Sequence, residues 1–137
     1  MAFFTTSAGG VQKQVIKEFG ENDDYLVVLK HNSIGAGLVQ LFINTDLPTF
    51  DSSRESILYF NRNGIYEKEI GVSDRTPFEL YPWREIEDFE VTDKDRTIIL
   101  NFRYRGHNFR YEADMSGGIM NGNEKRYENL LRNHWYR

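Results

Sequence analysis

The chain has 137 residues, no cysteine and a formal net charge of −4 at pH 7. That length suits a single domain with a core of its own, and the lack of cysteine excludes disulfides, thiolate catalysis and cysteine-ligated zinc. The acidic balance argues against nucleic acid as a partner, while aromatic residues, at 15% of the chain, favour a β-rich interior.

Residues 1–23 form a predicted N-terminal arm with one short helix, and residues 24–137 form the predicted globular unit. Apolar residues recur at helical spacing over Val11–Phe19, and Gly20 is a suitable stop. The first ten residues lack the basic start and long apolar stretch of a signal peptide, and no later apolar run approaches the ~20 residues that span a bilayer. We therefore expect a cytoplasmic protein, in agreement with the missing cysteine.

Short segments with apolar residues at period two fill the middle of the chain, as in half-buried strands. Ser56–Ile70 is predicted as a hairpin, in which Asn63 and Gly64 provide the positive φ angles of a tight turn. Thr97–Tyr111 is predicted as a second hairpin. The seven predicted strands are Tyr25–Lys30, Leu38–Ile43, Ser56–Asn61, Ile65–Ile70, Ile86–Val91, Thr97–Tyr104 and Asn108–Ala113.

A terminal helix closes the predicted sheet. Tyr127, Leu130, Leu131 and Trp135 recur three to four residues apart, which would place them on one helix face. Asn123 is a good N-cap for this helix. We expect Trp135 to lie in the core, because it shares that face with the leucines.

The order of these elements resembles the pleckstrin-homology-like superfamily, in particular its bacterial and GRAM-type branches. The stretches that carry the likeness are the hairpin ILYFNRNGIYEKEI, the segment YPWREIEDFEV, the hairpin TIILNFRYRGHNFRYEAD and the helical end LLRNHWYR. The likeness extends over about residues 24–136. It implies a mainly β fold: a seven-stranded antiparallel, partly open barrel or sandwich capped by a C-terminal helix, to which the short N-terminal helix is an addition.

The resemblance implies binding, to lipids, peptides or further copies of the chain, rather than catalysis. Where phosphoinositide-binding members carry a lysine and a spaced Arg-x-Arg, this chain offers only Lys30 and His31 before Gly35. We therefore expect a non-enzymatic interaction module that contacts a protein partner or associates with itself, for example through pairing along the long strand Tyr25–Lys30. A membrane surface is the less favoured partner.

A basic patch is the alternative site. Arg103, Arg105 and Arg110 are predicted on one face of the second hairpin, with His107 at its turn. Arginine forks suit phosphate and carboxylate groups, and this hypothesis makes the patch a site for an anionic ligand or a lipid headgroup. The competing interpretation is a solvated strand face whose charges pair with neighbours such as Glu112.

Aromatic and acidic residues before the second hairpin are the remaining candidates. Trp83 and Tyr81 are interpreted either as a partner surface, where Trp is enriched, or as part of the core. The four acidic residues between Glu85 and Glu90 follow no metal-loop spacing and indicate a solvated edge strand, whose charges discourage edge-to-edge pairing. The three histidines are far apart and lack zinc-type spacing. No catalytic residue, metal or cofactor is predicted.

Overall fold

The computed structural model describes residues 8–31, 53–70, 76–115 and 122–137. The helices are α1 (Ala8–Phe19) and α2 (Asn123–Arg132), and short 3-10 turns span Trp83–Glu85 and His134–Tyr136. The strands are β1 (Tyr25–His31), β2 (Ser53–Asn61), β3 (Gly64–Glu69), β4 (Glu79–Pro82), β5 (Ile86–Lys94), β6 (Thr97–Tyr104) and β7 (His107–Asp114). Within these ranges, no helix is long and apolar enough to cross a membrane.

The seven strands form one antiparallel open sheet in the order β4-β3-β2-β1-β7-β6-β5. The predicted mainly β architecture with an N-terminal and a C-terminal helix is confirmed. Six predicted strands are present, Thr97–Tyr104 with its predicted bounds and the other five with at least one end shifted, whereas the predicted strand Leu38–Ile43 lies outside the described residues. The seventh described strand, β4, is not among the predicted ones, because four residues that include Pro82 give a weak strand signal.

β1 is a central strand. It pairs with β2 along its whole length and with β7 over Leu29–His31. The expectation that Tyr25–Lys30 is available for pairing with a partner is therefore wrong, since β2 occupies one side, and β7 together with polar side chains of α2 occupies the other. The two edges of the sheet are β4 and β5.

The sheet curls around its core. Tyr81 on β4 contacts the rings of Tyr104 and Phe109 at centroid distances of 4.9 and 5.3 Å. These rings belong to β6 and β7, which lie at the other end of the strand order, so the two ends of the sheet approach each other across the interior. Fully buried side chains such as Phe60 and Tyr111 fill the space between them.

Gly64 allows β4 to approach β3 closely. A Cβ at this position would overlap the backbone carbonyl oxygen of Tyr81. The two turn residues of the hairpin are Arg62 and Asn63, neither of which has a positive φ. The prediction that Asn63 and Gly64 form the turn pair is therefore wrong. The glycine is required because the backbone of β4 approaches it closely.

α1 packs on the outer face of the β1–β3 half of the sheet. Val11 and Val15 are fully buried there, and the ring of Phe19 stacks on Tyr59 with centroids 3.7 Å apart. The helix ends as predicted at Gly20, which has a φ of 87°. This half of the sheet consequently has apolar side chains on both faces, towards α1 and towards the interior.

Asn123, at the start of α2, binds the backbone of two strands. Its side chain is fully buried. The Oδ1 atom accepts a hydrogen bond from Val27 N–H at 3.0 Å, and Nδ2 donates to the carbonyl oxygens of Val27 at 2.8 Å and Asp114 at 3.0 Å. The side-chain amide thus acts as a short strand partner at the point where β1 and β7 separate.

The N-cap prediction for Asn123 is wrong. Gly122 occupies the N-cap position with a φ of 91°, and no side chain caps the helix. Arg126, one turn later, donates from Nε to the carbonyl oxygen of Tyr25 at 3.0 Å. The polar side of α2 therefore satisfies backbone groups along the part of β1 that β7 does not reach.

A left-handed turn follows α2. His134–Tyr136 have φ values of 53°, 58° and 62°. The turn carries Trp135 into the core, where it is 7% exposed and contacts the rings of Phe60 and Phe89. The core prediction for Trp135 is confirmed. Leu131, predicted on the same buried helix face, is 44% exposed. The two residues do not share a face, because Trp135 lies in the turn after the helix and this turn directs it inward.

Candidate functional site

β5 is an edge strand, as the acidic run predicts. Among the described residues, no strand pairs with its outer side. Its register with β6 shifts between Glu87 and Glu90, where Asp88 has a φ of 55°. Pairing with β6 is regular from Glu90 to Lys94. This regular part of the edge is where a further strand could extend the sheet.

Four partly buried apolar side chains and one exposed leucine lie along β5, the turn before it and α2. The "edge strip" is defined as Trp83, Phe89, Val91, Tyr127 and Leu131. The Tyr127 hydroxyl donates to Asp93 Oδ2 at 3.2 Å, which places α2 beside β5. Leu131 lies one helical turn after Tyr127 and therefore on the same side of α2.

Trp83, predicted as part of a partner surface, lies at the β4 end of the edge strip. It is half-buried, and its indole N–H donates to the carbonyl oxygen of Asn61 at 2.7 Å. Its ring meets Phe89 at 5.4 Å with an angle of 86° between the planes. The guanidinium of Arg137 lies 5.6 Å from the Trp83 ring and 5.0 Å from the Phe89 ring, within cation–π range of both.

Tyr81, the other predicted partner-surface residue, lies inside the curled sheet and is 3% exposed. Its hydroxyl donates to Glu67 Oε1 at 2.8 Å, and the Tyr111 hydroxyl donates to the same atom at 2.9 Å. Lys30 Nζ lies 3.2 Å from the Glu67 carboxylate. Tyr81 therefore belongs to a buried polar cluster and does not contribute to the surface.

This cluster changes the acidity of its tyrosines. Burial, followed by the charge of the Glu67 carboxylate, raises the pKa of Tyr81, and the same two causes raise the pKa of Tyr111. Both phenols therefore remain protonated donors to Glu67 in the folded protein. The cluster satisfies the polar groups of a buried carboxylate, which is a requirement for burying such a group at all.

The arginines of the predicted basic patch make ion pairs with acidic residues. Arg103 lies 3.3 Å from Glu87 and 3.2 Å from Asp88, and Arg105 lies 3.0 Å from Glu85. These carboxylates lie on β5 and in the turn before it. The competing interpretation names Glu112 as the partner instead, but Glu112 lies 3.2 Å from His31. Two positive charges of the patch are thus already balanced.

The four patch residues do not share one face. Arg103 and Arg110 lie on the outer face of the second hairpin, in diagonal register across it. Arg105, with a φ of 51°, forms the two-residue turn with Gly106, and His107 is the first residue of β7. All four side chains are exposed. The structure therefore brings together two of the predicted anion ligands and leaves the others at the hairpin tip.

Three residues of the described site are not predicted as site residues from the sequence. Leu131 is predicted to be buried, Phe89 is predicted only as one of several apolar strand residues, and Arg137 carries no pattern at all. Their proximity depends on the left-handed turn after α2 and on the curl of the sheet. Only Trp83, interpreted as a partner-surface or core residue because Trp is enriched at interfaces, points to this region in the sequence.

The described residues contain no group of three or more histidine, aspartate or glutamate side chains arranged to hold a metal ion. No family model matches the chain, and no curated protein is similar to it in sequence.

Proposed function

We propose that this chain is a non-enzymatic, pleckstrin-homology-like interaction module of the cytoplasm that binds an extended segment of a protein partner along β5. The strand order, with β4 and β5 at the edges and a helix after the last strand, supports the resemblance in topology. An extended partner adds to such an edge through backbone hydrogen bonds, and side-chain pockets beside the edge give specificity.

The edge strip is the observation that carries this proposal. Its four half-buried apolar side chains and the exposed Leu131 lie along a strand margin, Glu90–Lys94, with which no strand among the described residues pairs on the outer side. Leu131 is the most exposed large apolar residue among those the structure describes. Aromatic residues with an adjacent arginine are the composition that dominates binding energy at protein interfaces.

The charge of the edge favours a basic partner over a second copy of the chain. Glu87, Asp88 and Glu90 are exposed on β5, and one arginine, Arg103, pairs with the first two. β5 carries four acidic residues against one lysine, Lys94, so two β5 edges placed side by side would bring net negative charge together, which disfavours pairing. A segment with lysine or arginine at alternate positions would complement the same edge.

The test selects binders to the purified protein from a displayed library of random peptides. Two leucines of comparable exposure, Leu131 and Leu80, are then each replaced by glutamate as a matched pair. We expect the enriched peptides to be basic and extended, and to lose at least about tenfold in affinity for Leu131→Glu. Leu80→Glu, on β4 at 37% exposure, should retain full affinity. Enriched peptides that bind both variants equally, or that lose affinity only for Leu80→Glu, would refute the proposal.

A further inference from the structure

The most informative feature outside the backbone edge is the position of Arg137. Its guanidinium lies over two rings that meet nearly at right angles, Trp83 and Phe89. The two rings form the walls of a notch that is lined by π faces, and a positively charged planar group fills it. A guanidinium within about 6 Å of an aromatic ring centroid is attracted electrostatically by the ring face, so both rings favour a cation at this position.

The shape of the notch does not depend on Arg137. The indole N–H of Trp83 is fixed by its hydrogen bond to the Asn61 carbonyl oxygen, so the ring cannot rotate freely. Phe89 is held from below by the buried ring of Trp135 at 5.7 Å. Both walls are therefore positioned by contacts that do not involve Arg137.

Arg137 itself can leave the notch at low cost. The left-handed turn before it is anchored by Trp135 in the core and by the Tyr136 hydroxyl, which donates to Asp24 Oδ1 at 2.7 Å. Neither anchor depends on the position of Arg137, which is exposed. Its side chain can swing into solvent while the turn, the helix and the sheet keep their places.

We propose that Trp83 and Phe89 form a cation-binding subsite, which Arg137 occupies in the free protein and which an arginine of the bound segment occupies in the complex. This inference rests on the proposed function, since it names the side chain that the edge strip recognises. The acidic residues of β5 next to the subsite favour the same cationic ligand. Arg137 then acts as an internal competitor that lowers the affinity for arginine-containing segments.

The first experiment follows the indole N–H signal of Trp83 by NMR in the full chain, assigned with Trp83→Phe. Arg137→Gln should shift this signal, because the cation leaves the ring face. Arg132→Gln is the control, since Arg132 is an exposed arginine at the end of α2 for which the described residues include no ring contact. An unchanged Trp83 signal in Arg137→Gln would show that the notch is empty in solution and would overturn the inference.

The second experiment adds Nα-acetyl-arginine amide as the probe, with Nα-acetyl-citrulline amide as the neutral analogue of the same shape. We expect the arginine probe to bind Arg137→Gln roughly two- to fivefold more tightly than the wild type, and the citrulline probe to cause no saturable shift. Equal shifts with both probes, or no saturable shift in Arg137→Gln, would overturn the inference.

The two proposals fail in different ways. If peptide display yields no peptide that depends on Leu131 while the arginine probe still binds Arg137→Gln, the proposed function is wrong and the subsite stands. If displayed peptides bind in a Leu131-dependent manner but keep their affinity when every arginine is replaced by citrulline, the subsite is wrong and the proposed function stands.

Discussion

The structure gives Asn123 a role that differs sharply from the one its sequence context predicts, and Asn123→Asp separates the two. At an N-cap, asparagine and aspartate are almost equivalent, so the exchange would change the free energy of unfolding by only a few tenths of a kcal/mol. In the structure, the Nδ2 atom of Asn123 donates to two carbonyl oxygens, those of Val27 and Asp114. A carboxylate cannot make either hydrogen bond.

The magnitude follows from the burial of the site. Each buried polar group left without its partner costs about 1–3 kcal/mol, and Asn123→Asp leaves two such carbonyl oxygens. The new carboxylate oxygen would also face them, although Arg126 Nη2, 3.0 Å from Oδ1, offsets part of that repulsion. We therefore expect a loss of roughly 2–5 kcal/mol, a large fraction of the ~5–15 kcal/mol that stabilises a typical domain.

Urea unfolding, extrapolated linearly to water, measures this loss. The control is Asn133→Asp at the other end of α2, where the amide is exposed and donates to a single residue, Asn129, at its backbone carbonyl oxygen and its side-chain Oδ1. We expect the control to change stability by less than about 1 kcal/mol. A loss below about 1 kcal/mol for Asn123→Asp as well would refute the bridging role and restore the N-cap interpretation.

Two further predictions concern the buried polar cluster. Glu67→Ala removes the acceptor of the Tyr81 and Tyr111 hydroxyls and should lower the free energy of unfolding by roughly 2–5 kcal/mol. Glu67→Gln keeps a carbonyl acceptor and should lower it clearly less, so equal losses of the two variants in urea unfolding would contradict this prediction. Because burial raises the pKa of both phenols above the ~10 of unfolded tyrosine, their stabilising contribution is complete below about pH 10 and is lost as the pH rises further. Tyrosinate absorbance from this pair should therefore appear together with the loss of circular dichroism on alkaline titration, and ionisation of all eight tyrosines in an intact fold would contradict it.

Local signals predicted those elements whose residues determine their own structure. The helix that ends at Gly20 needs only helical spacing and one residue that tolerates a positive φ. The second hairpin lies between two strands of clear alternation, as predicted, although its turn is formed by Arg105 and Gly106 and not by His107, which begins β7. These features could be read from a few neighbouring residues, and the structure agrees with them.

Features that depend on distant segments could not be predicted in this way. β4 is defined by its approach to Gly64, and the sequence around Tyr81 contains no sign of that contact. Asn123 precedes a helix, as an N-cap does, but its side chain binds Val27, 96 positions away on β1, as well as Asp114 on β7. The same holds for the candidate site, in which Trp83, Phe89 and Arg137 meet only because a left-handed turn follows α2.

The predicted basic patch shows how charge patterns mislead when only one strand is considered. Arg103 and Arg105 look like a phosphate-binding pair in the hairpin sequence. In the sequence, the acidic residues of β5 equally indicate a solvated edge strand that is unrelated to the arginines. Antiparallel pairing of β5 with β6 brings the two groups into contact, so that Arg103 and Arg105 are balanced by Glu85, Glu87 and Asp88, while Glu90 stays exposed on β5. The pattern that appeared to be two features is one ion-paired surface.

Amide hydrogen exchange on the protein with a display-selected peptide bound tests the central claim, that the partner extends the sheet at β5. Strand addition should slow exchange at Glu90–Lys94 and leave exchange at the opposite edge, residues 79–81 of β4, unchanged. Slowed exchange at residues 79–81, or bound peptide without protection of Glu90–Lys94, would contradict the claim.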